Sequence, residues 1–188
     1  MSYNILICGD SFSSNWFPKE TNIGWVNLLE NDFKIKNISQ AGVSEYKIYL
    51  QLMSEDLSKY DKILVCHTSP YRIPIKTHPI HKNDKIHYNC DLIYSDVNYH
   101  KKNKIMKIAN NFYENIFYKE YFEFTHDLII NKILKLDKKI INITFFDYYD
   151  KKEIMNFSEL FKKNKGDINH LNKKGNRKVY KIIKKILK

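Results

Sequence analysis

The residue types able to carry acyl transfer occur at two points of the chain: Ser11 in Gly9-Asp10-Ser11-Phe12-Ser13, and Asp167 with His170 in Asp167-Ile168-Asn169-His170. A serine hydroxyl is a poor nucleophile until a base takes its proton, and an imidazole is a better base when a carboxylate fixes its orientation. Three residues along a turn bring two side chains to one side, so the Asp167 carboxylate would reach Nδ1 of His170 while Nε2 faces a hydroxyl. An Asp-x-x-His quartet alone is equally the signature of a helix cap. The elements that hold these groups therefore decide what they can do.

Tyr3–Gly9 is a short apolar run ending in glycine, as a buried parallel strand would be. Gly24–Asn31 has the spacing of a short helix, Phe33–Ile38 reads as a second strand and Val43–Tyr60 as a helix, with Tyr46, Tyr49, Leu50, Met53 and Leu57 on one face. Lys62–Cys66 is a third strand candidate and Lys139–Phe146 a fourth. Lys104–Tyr121 has helical spacing through Ile105, Ile108, Phe112 and Ile116, and Thr125 is placed to cap a further helix through Leu136. Asp147–Gly166 is mostly polar, with a short helix expected near Phe157–Phe161. Strands alternating with helices at this spacing predict one domain over residues 1–188 with a parallel sheet and helices on both faces.

In such a sheet the ligand crevice lies beyond the carboxyl ends of the strands. Asp10-Ser11 follows the first strand, Gln40-Ala41-Gly42 the second, and Thr68-Ser69-Pro70-Tyr71-Arg72 the third, while Asp167 and His170 precede the last helix. Residues 73–103 break the pattern and read as an irregular insertion packed over one end of the sheet. It carries His78, His81, His87, Cys90 and His100, whose spacing matches no standard zinc pattern, so no metal or other cofactor is expected. Trp16, Phe17, Tyr71 and Tyr148 fall near strand ends and would suit an acyl or sugar pocket, although core packing is the commoner use of aromatic residues.

The 188 residues include 32 Lys and Arg against 21 Asp and Glu, a formal net charge of +11. Eight of the basic residues lie in Lys173–Lys188 with no acid, and without them the balance is 24 against 21. The same segment spaces Val179, Ile182, Ile183 and Ile186 as one apolar face, so it reads as an amphipathic helix with a solvated lysine side. Nucleic acid thereby becomes a disfavoured partner, and attraction of an acidic substrate a secondary role for the charge. At 43% apolar residues a folded core is expected, and no apolar run approaches the roughly 18–20 residues of a membrane span. Three cysteines without pairing or metal spacing point to a reducing, cytoplasmic setting.

Gly9-Asp10-Ser11-Phe12-Ser13 after the first strand, Gly42 after the second and Asp167-x-x-His170 before the final helix resemble the SGNH hydrolases, also called GDSL-type esterases and lipases. The resemblance runs through the chain in order and spacing, apart from residues 73–103. It implies a three-layer α/β/α sandwich with a mainly parallel, flavodoxin-like sheet of four to five strands. It further implies Ser11 as nucleophile, His170 as base, Asp167 as its orienting partner and Asp10 as a residue that holds the loop. The backbone N–H groups of Ser11 and Gly42 would stabilise the oxyanion. The family's third-strand Asn is absent, so Thr68, Ser69 or Arg72 would replace it, with Arg72 alternatively reading a substrate carboxylate. The expected activity is hydrolysis of a small acyl ester, acetyl by preference, on a small molecule or a carbohydrate. An O-acyltransferase of glycan or metabolite assembly, and a catalytically impaired binding module with a basic C-terminal helix, are the alternatives.

Overall fold

Near-continuous apolar runs become strands covered on both faces. In the computed structural model, which describes residues 3–15, 24–84, 87–149, 151–166 and 170–188, β1 (Asn4–Gly9) buries Ile5, Leu6, Ile7 and Cys8 completely. β3 (Lys62–His67) does the same with Ile63, Leu64, Val65 and Cys66. β2 (Lys34–Asn37) alternates exposed and half-buried residues, as an edge strand can. With β6 (Ile140–Thr144) and β7 (Ile154–Asn156) these form a five-stranded sheet in the order β2-β1-β3-β6-β7, parallel throughout. Counting sheet strands alone the order is the doubly wound 2-1-3-4-5, whose direction reverses between β1 and β3.

The two-residue period of a strand divides the core in two. Ile5, Ile7, Leu64 and Cys66 meet Trp25 and Leu29 of α1 (Trp25–Leu29) and Val179, Ile183 and Leu187 of α7 (Lys173–Leu187). On the other face Leu6, Cys8, Ile63 and Val65 meet Ile48 and Leu52 of α2 (Glu45–Met53) and Ile133 of α5 (Lys119–Leu134). The fold is thus a three-layer α/β structure, as expected. Each fully buried Leu or Ile contributes about 1.5–3 kcal/mol relative to exposure.

The insertion has a core of its own. β4 (Arg72–Ile73) and β5 (Leu92–Ile93) pair antiparallel, α3 (Tyr94–Tyr99) follows, and Leu92, Val97, Met106 and Ala109 close over Ile73, Ile75 and Ile80 together with α4 (Lys104–Asn115). Asp91 ties it to the main body, because its carboxylate accepts hydrogen bonds from Ser44 N at 2.7 Å and Ile75 N at 2.9 Å and pairs with Lys47 Nζ at 2.7 Å.

Four local expectations are corrected. Thr125 caps nothing: α5 already begins at Lys119, and the Thr125 hydroxyl bonds back to the Tyr121 carbonyl at 2.9 Å. α2 buries Glu45, Ile48 and Leu52 while Tyr46, Leu50 and Met53 are exposed, because the strand ends demand the polar Glu45 on the inner face. α4 buries Met106, Ala109 and Asn110, so the stripe of Ile105, Ile108 and Ile116 faces outward; the small insertion core selects the slimmer face. β7, followed by α6 (Ser158–Lys162), occupies a stretch whose polar composition hid a three-residue strand.

Candidate active site

The chain leaves β1 through Gly9, where a Cβ would stand 2.4 Å from Ser13 Oγ and 2.6 Å from Cys66 Cβ, so no other residue fits. The Asp10 carbonyl accepts from Ser13 N at 3.1 Å and Ser14 N at 3.0 Å, which winds residues 10–14 into one tight turn around a half-buried Ser11. Trp25 Nε1 donates to the Phe12 carbonyl at 2.7 Å and fixes the far side of the turn. The Phe12 ring stacks on Phe145 at 4.6 Å, meets Phe161 edge-on at 5.0 Å, and has the His170 imidazole 5.1 Å from its centroid.

His170 is held from below. Its carbonyl accepts from Gly166 N at 2.5 Å, Leu171 bridges to Lys165, and Asn172 caps α7 by accepting from Gly175 N at 2.9 Å. One turn into α7, Asn176 Oδ1 accepts the backbone N–H of Trp25 at 3.0 Å, so Trp25 bridges the loop after β1 and the first turns of α7 with one hydrogen bond to each. Ser11, Phe12 and His170 share one end of the sheet. Asp167, Asn169, Trp16 and Phe17 lie outside the described residues.

Asp10 is fully buried and spends its carboxylate internally: Oδ1 accepts from Phe12 N at 2.9 Å, and Oδ2 from Thr68 Oγ1 at 2.7 Å and Arg72 Nη2 at 3.2 Å. Burial pushes its carboxyl up, against the downward pull of Arg72, the Phe12 N–H and Thr68. The Thr68 hydroxyl hydrogen is therefore committed to Asp10. Thr68 N donates to Glu45 Oε2 at 3.1 Å, and its carbonyl accepts from His126 Nε2 at 3.0 Å and from the Tyr149 hydroxyl.

Glu45 is the buried hub behind that strand end. Oε1 lies 2.7 Å from His67 Nδ1 and Oε2 3.5 Å from His126 Nε2, while His67 Nε2 is 3.0 Å from Asn142 Oδ1. Burial alone would raise the Glu45 carboxyl, but the two imidazoles outweigh it and hold the group well below its usual range. Sequence reading missed this hub, whose one visible signal was an acidic residue on what should be the inner side of the helix.

Gly42 has φ +77°, and a Cβ there would sit 2.6 Å from Cys90 Cβ, so the backbone conformation and the insertion both require glycine. Its carbonyl accepts from Asp91 N at 2.9 Å. Ser69 and Arg72 line a cleft of about 240 Å³ with Ser44, Pro74, Phe122 and His126. Arg72 Nη1 and Ser44 Oγ, both buried, have no hydrogen-bond partner among the described residues. A second cleft of about 350 Å³ is lined by Pro70, Tyr148, Tyr149 and Lys151, and Tyr71 meets Tyr148 edge-on at 5.2 Å.

The insertion also brings together residues that the chain spacing did not flag as a set: the ligand atoms of His78, His81 and Asp96 all lie within 4.8 Å of one another. The readable signal was two local pairs, His78/His81 and Asp96/His100. Cys8, Cys66 and Cys90 are free and buried, and burial pushes the Cys90 thiol up to about 12. Among the described residues no helix is long and apolar enough to cross a membrane. Comparison of the chain with protein-family models, with curated proteins and with solved structures found no match.

Proposed function

We propose that the chain is a serine esterase of the SGNH type that removes a small acyl group, acetyl by preference, from an ester of a small molecule or carbohydrate bearing an anionic group. The observation that carries this reading is the contact of the His170 ring with Phe12, the residue after Ser11, at the carboxyl edge of the sheet beside the β1/β3 reversal. Ser11 attacks the ester carbonyl as His170 takes its proton, and His170 returns that proton to the departing alcohol. Asp167 orients the imidazole. The tetrahedral oxyanion rests on the backbone N–H groups of Ser11 and Gly42, and water then releases the acyl group from Ser11.

Arg72 supports the anionic part of the proposal. One side of its guanidinium is bound by Asp10, which leaves Nη1, buried beside the Ser69 cleft, as the donor for a substrate carboxylate or phosphate. Thr68, with its hydrogen on Asp10, acts by holding the loop.

A fluorophosphonate probe tests the reading. Ser11 is expected to be labelled, and Ser11→Ala and His170→Ala to lose labelling and at least about 10⁴-fold of p-nitrophenyl acetate hydrolysis. Absence of labelling in the unsubstituted protein would overturn it. Labelling with slow turnover that an added alcohol or sugar accelerates would make the enzyme an O-acyltransferase. Salt-sensitive retention on heparin without labelling would make it a binding module.

A further inference from the structure

Three of the four histidines of the insertion, His78, His81 and His100, converge on one carboxylate. His78 Nε2 stands 3.2 Å from Asp96 Oδ2, His81 Nε2 3.1 Å from Asp96 Oδ1, and His100 Nε2 3.5 Å from the same Oδ1. The His78 and His81 rings are stacked at 4.6 Å. His78 is wholly buried, and its Nε2 makes no directed hydrogen bond among the described residues despite its nearness to Asp96.

Around a tetrahedral zinc ion with bonds of roughly 2.0–2.1 Å, neighbouring donors stand about 3.3 Å apart. The separations of His81 Nε2 and His100 Nε2 from Asp96 Oδ1, 3.1 and 3.5 Å, are close to such edges, and His78 Nε2 reaches the other oxygen of the same carboxylate at 3.2 Å. We infer that His78, His81 and Asp96 bind a divalent transition ion, zinc first, with His100 as the side chain placed to complete the set. Imidazole and carboxylate together suit zinc, cobalt and nickel, whereas calcium and magnesium require oxygen-rich sites that this one does not offer.

Ligation has a local cost. His78 Nδ1 accepts the amide hydrogens of Ile80 at 3.2 Å and His81 at 3.1 Å, which leaves the ring hydrogen on Nε2. An ion at Nε2 moves that hydrogen to Nδ1 and turns the two amides away. Both contacts are at the long end of the hydrogen-bond range, so the loss is confined to one loose turn.

The ion would fasten the irregular stretch between β4 and β5 to α3. That stretch continues into Cys90 and Asp91, which pack on Gly42 and bond its carbonyl. The site is thus a staple for the insertion and independent of the esterase reading.

The test uses the full chain freed of any affinity tag, stripped with chelator and titrated with zinc at neutral pH by calorimetry. One ion per chain is expected, with affinity falling at least tenfold in His81→Ala and in Asp96→Asn. Saturating zinc should raise Tm by roughly 5–10 °C in the unsubstituted protein and leave Asp96→Asn unmoved. Magnesium and calcium should do neither. Circular dichroism of the metal-free variants checks folding. Should a variant fail it, protection of the half-exposed His81 and His100 by zinc against diethyl pyrocarbonate, read by mass spectrometry on the unsubstituted chain, takes its place. No stoichiometric uptake, uptake unchanged in both variants, or modification of these histidines unaffected by zinc would overturn the proposal.

Discussion

Two clusters of imidazoles and carboxylates are built from the same side chains and differ in how far their atoms are committed. At the strand ends, His67 and Glu45 have side chains 0% and 1% exposed, and each Glu45 oxygen faces an imidazole or a backbone N–H. In the insertion, His81 and Asp96 are 27% and 25% exposed, and three imidazoles share one carboxylate. A saturated, dry cluster fixes the positions of its neighbours and has nothing to offer a ligand. An undersubscribed, half-wet one can take up an ion without unfolding anything around it.

Emptying the hub of the committed cluster should have the largest effect. Glu45→Ala leaves His67 Nδ1 and the Thr68 N–H buried without their acceptor and removes the anion facing His126, and a loss of about 3–5 kcal/mol is expected in urea unfolding. A loss under about 1 kcal/mol would show that the network contributes little and that the contrast between the clusters is false.

Acid comes next. The folded-state carboxyl of Glu45 is held below its ordinary 4.5, so the native state binds fewer protons there than the unfolded chain does. Its stabilisation is complete above that value and drains away as pH falls through and below it. Stability measured from pH 6 downward should fall more steeply below about pH 4.5 in the unsubstituted protein than in Glu45→Gln. Parallel profiles would show that another group governs the acid limb.

The smallest effect concerns Arg72 Nη1, an uncommitted atom on the committed side. Arg72→Lys keeps the charge beside Asp10 and loses the second arm of the fork, so KM for an anionic ester should rise about tenfold, with kcat and the kinetics of a neutral ester little changed. Equal losses on both esters would assign Arg72 to the loop alone.

What could be read from the chain follows from periodicity. β1, β3 and β6 are legible because strands buried on both faces must be apolar throughout, and α7 because a lysine-rich helix can bury only its other side. The inner faces of α2 and α4 depart from the apolar stripes in one respect: several of the large apolar residues on those stripes do not point inward. Glu45 is inside because His67 and the Thr68 N–H need an anion, and Asn110 because a small satellite core has no room for a stripe of isoleucines. The loop carrying Ser11 and the position of His170 were legible as motifs, whereas the Glu45 hub and the His78–Asp96 convergence depend on chain crossings that no local pattern encodes.

The clasp between Trp25 and Asn176 joins residues 151 positions apart, and α7 also supports the segment that carries His170. During synthesis the turn around Ser11 emerges long before α7, so for most of that time Trp25 is without its Asn176 partner. The nascent chain therefore lacks the clasp until α7 docks beside α1, so this end of the sheet gains its final support last.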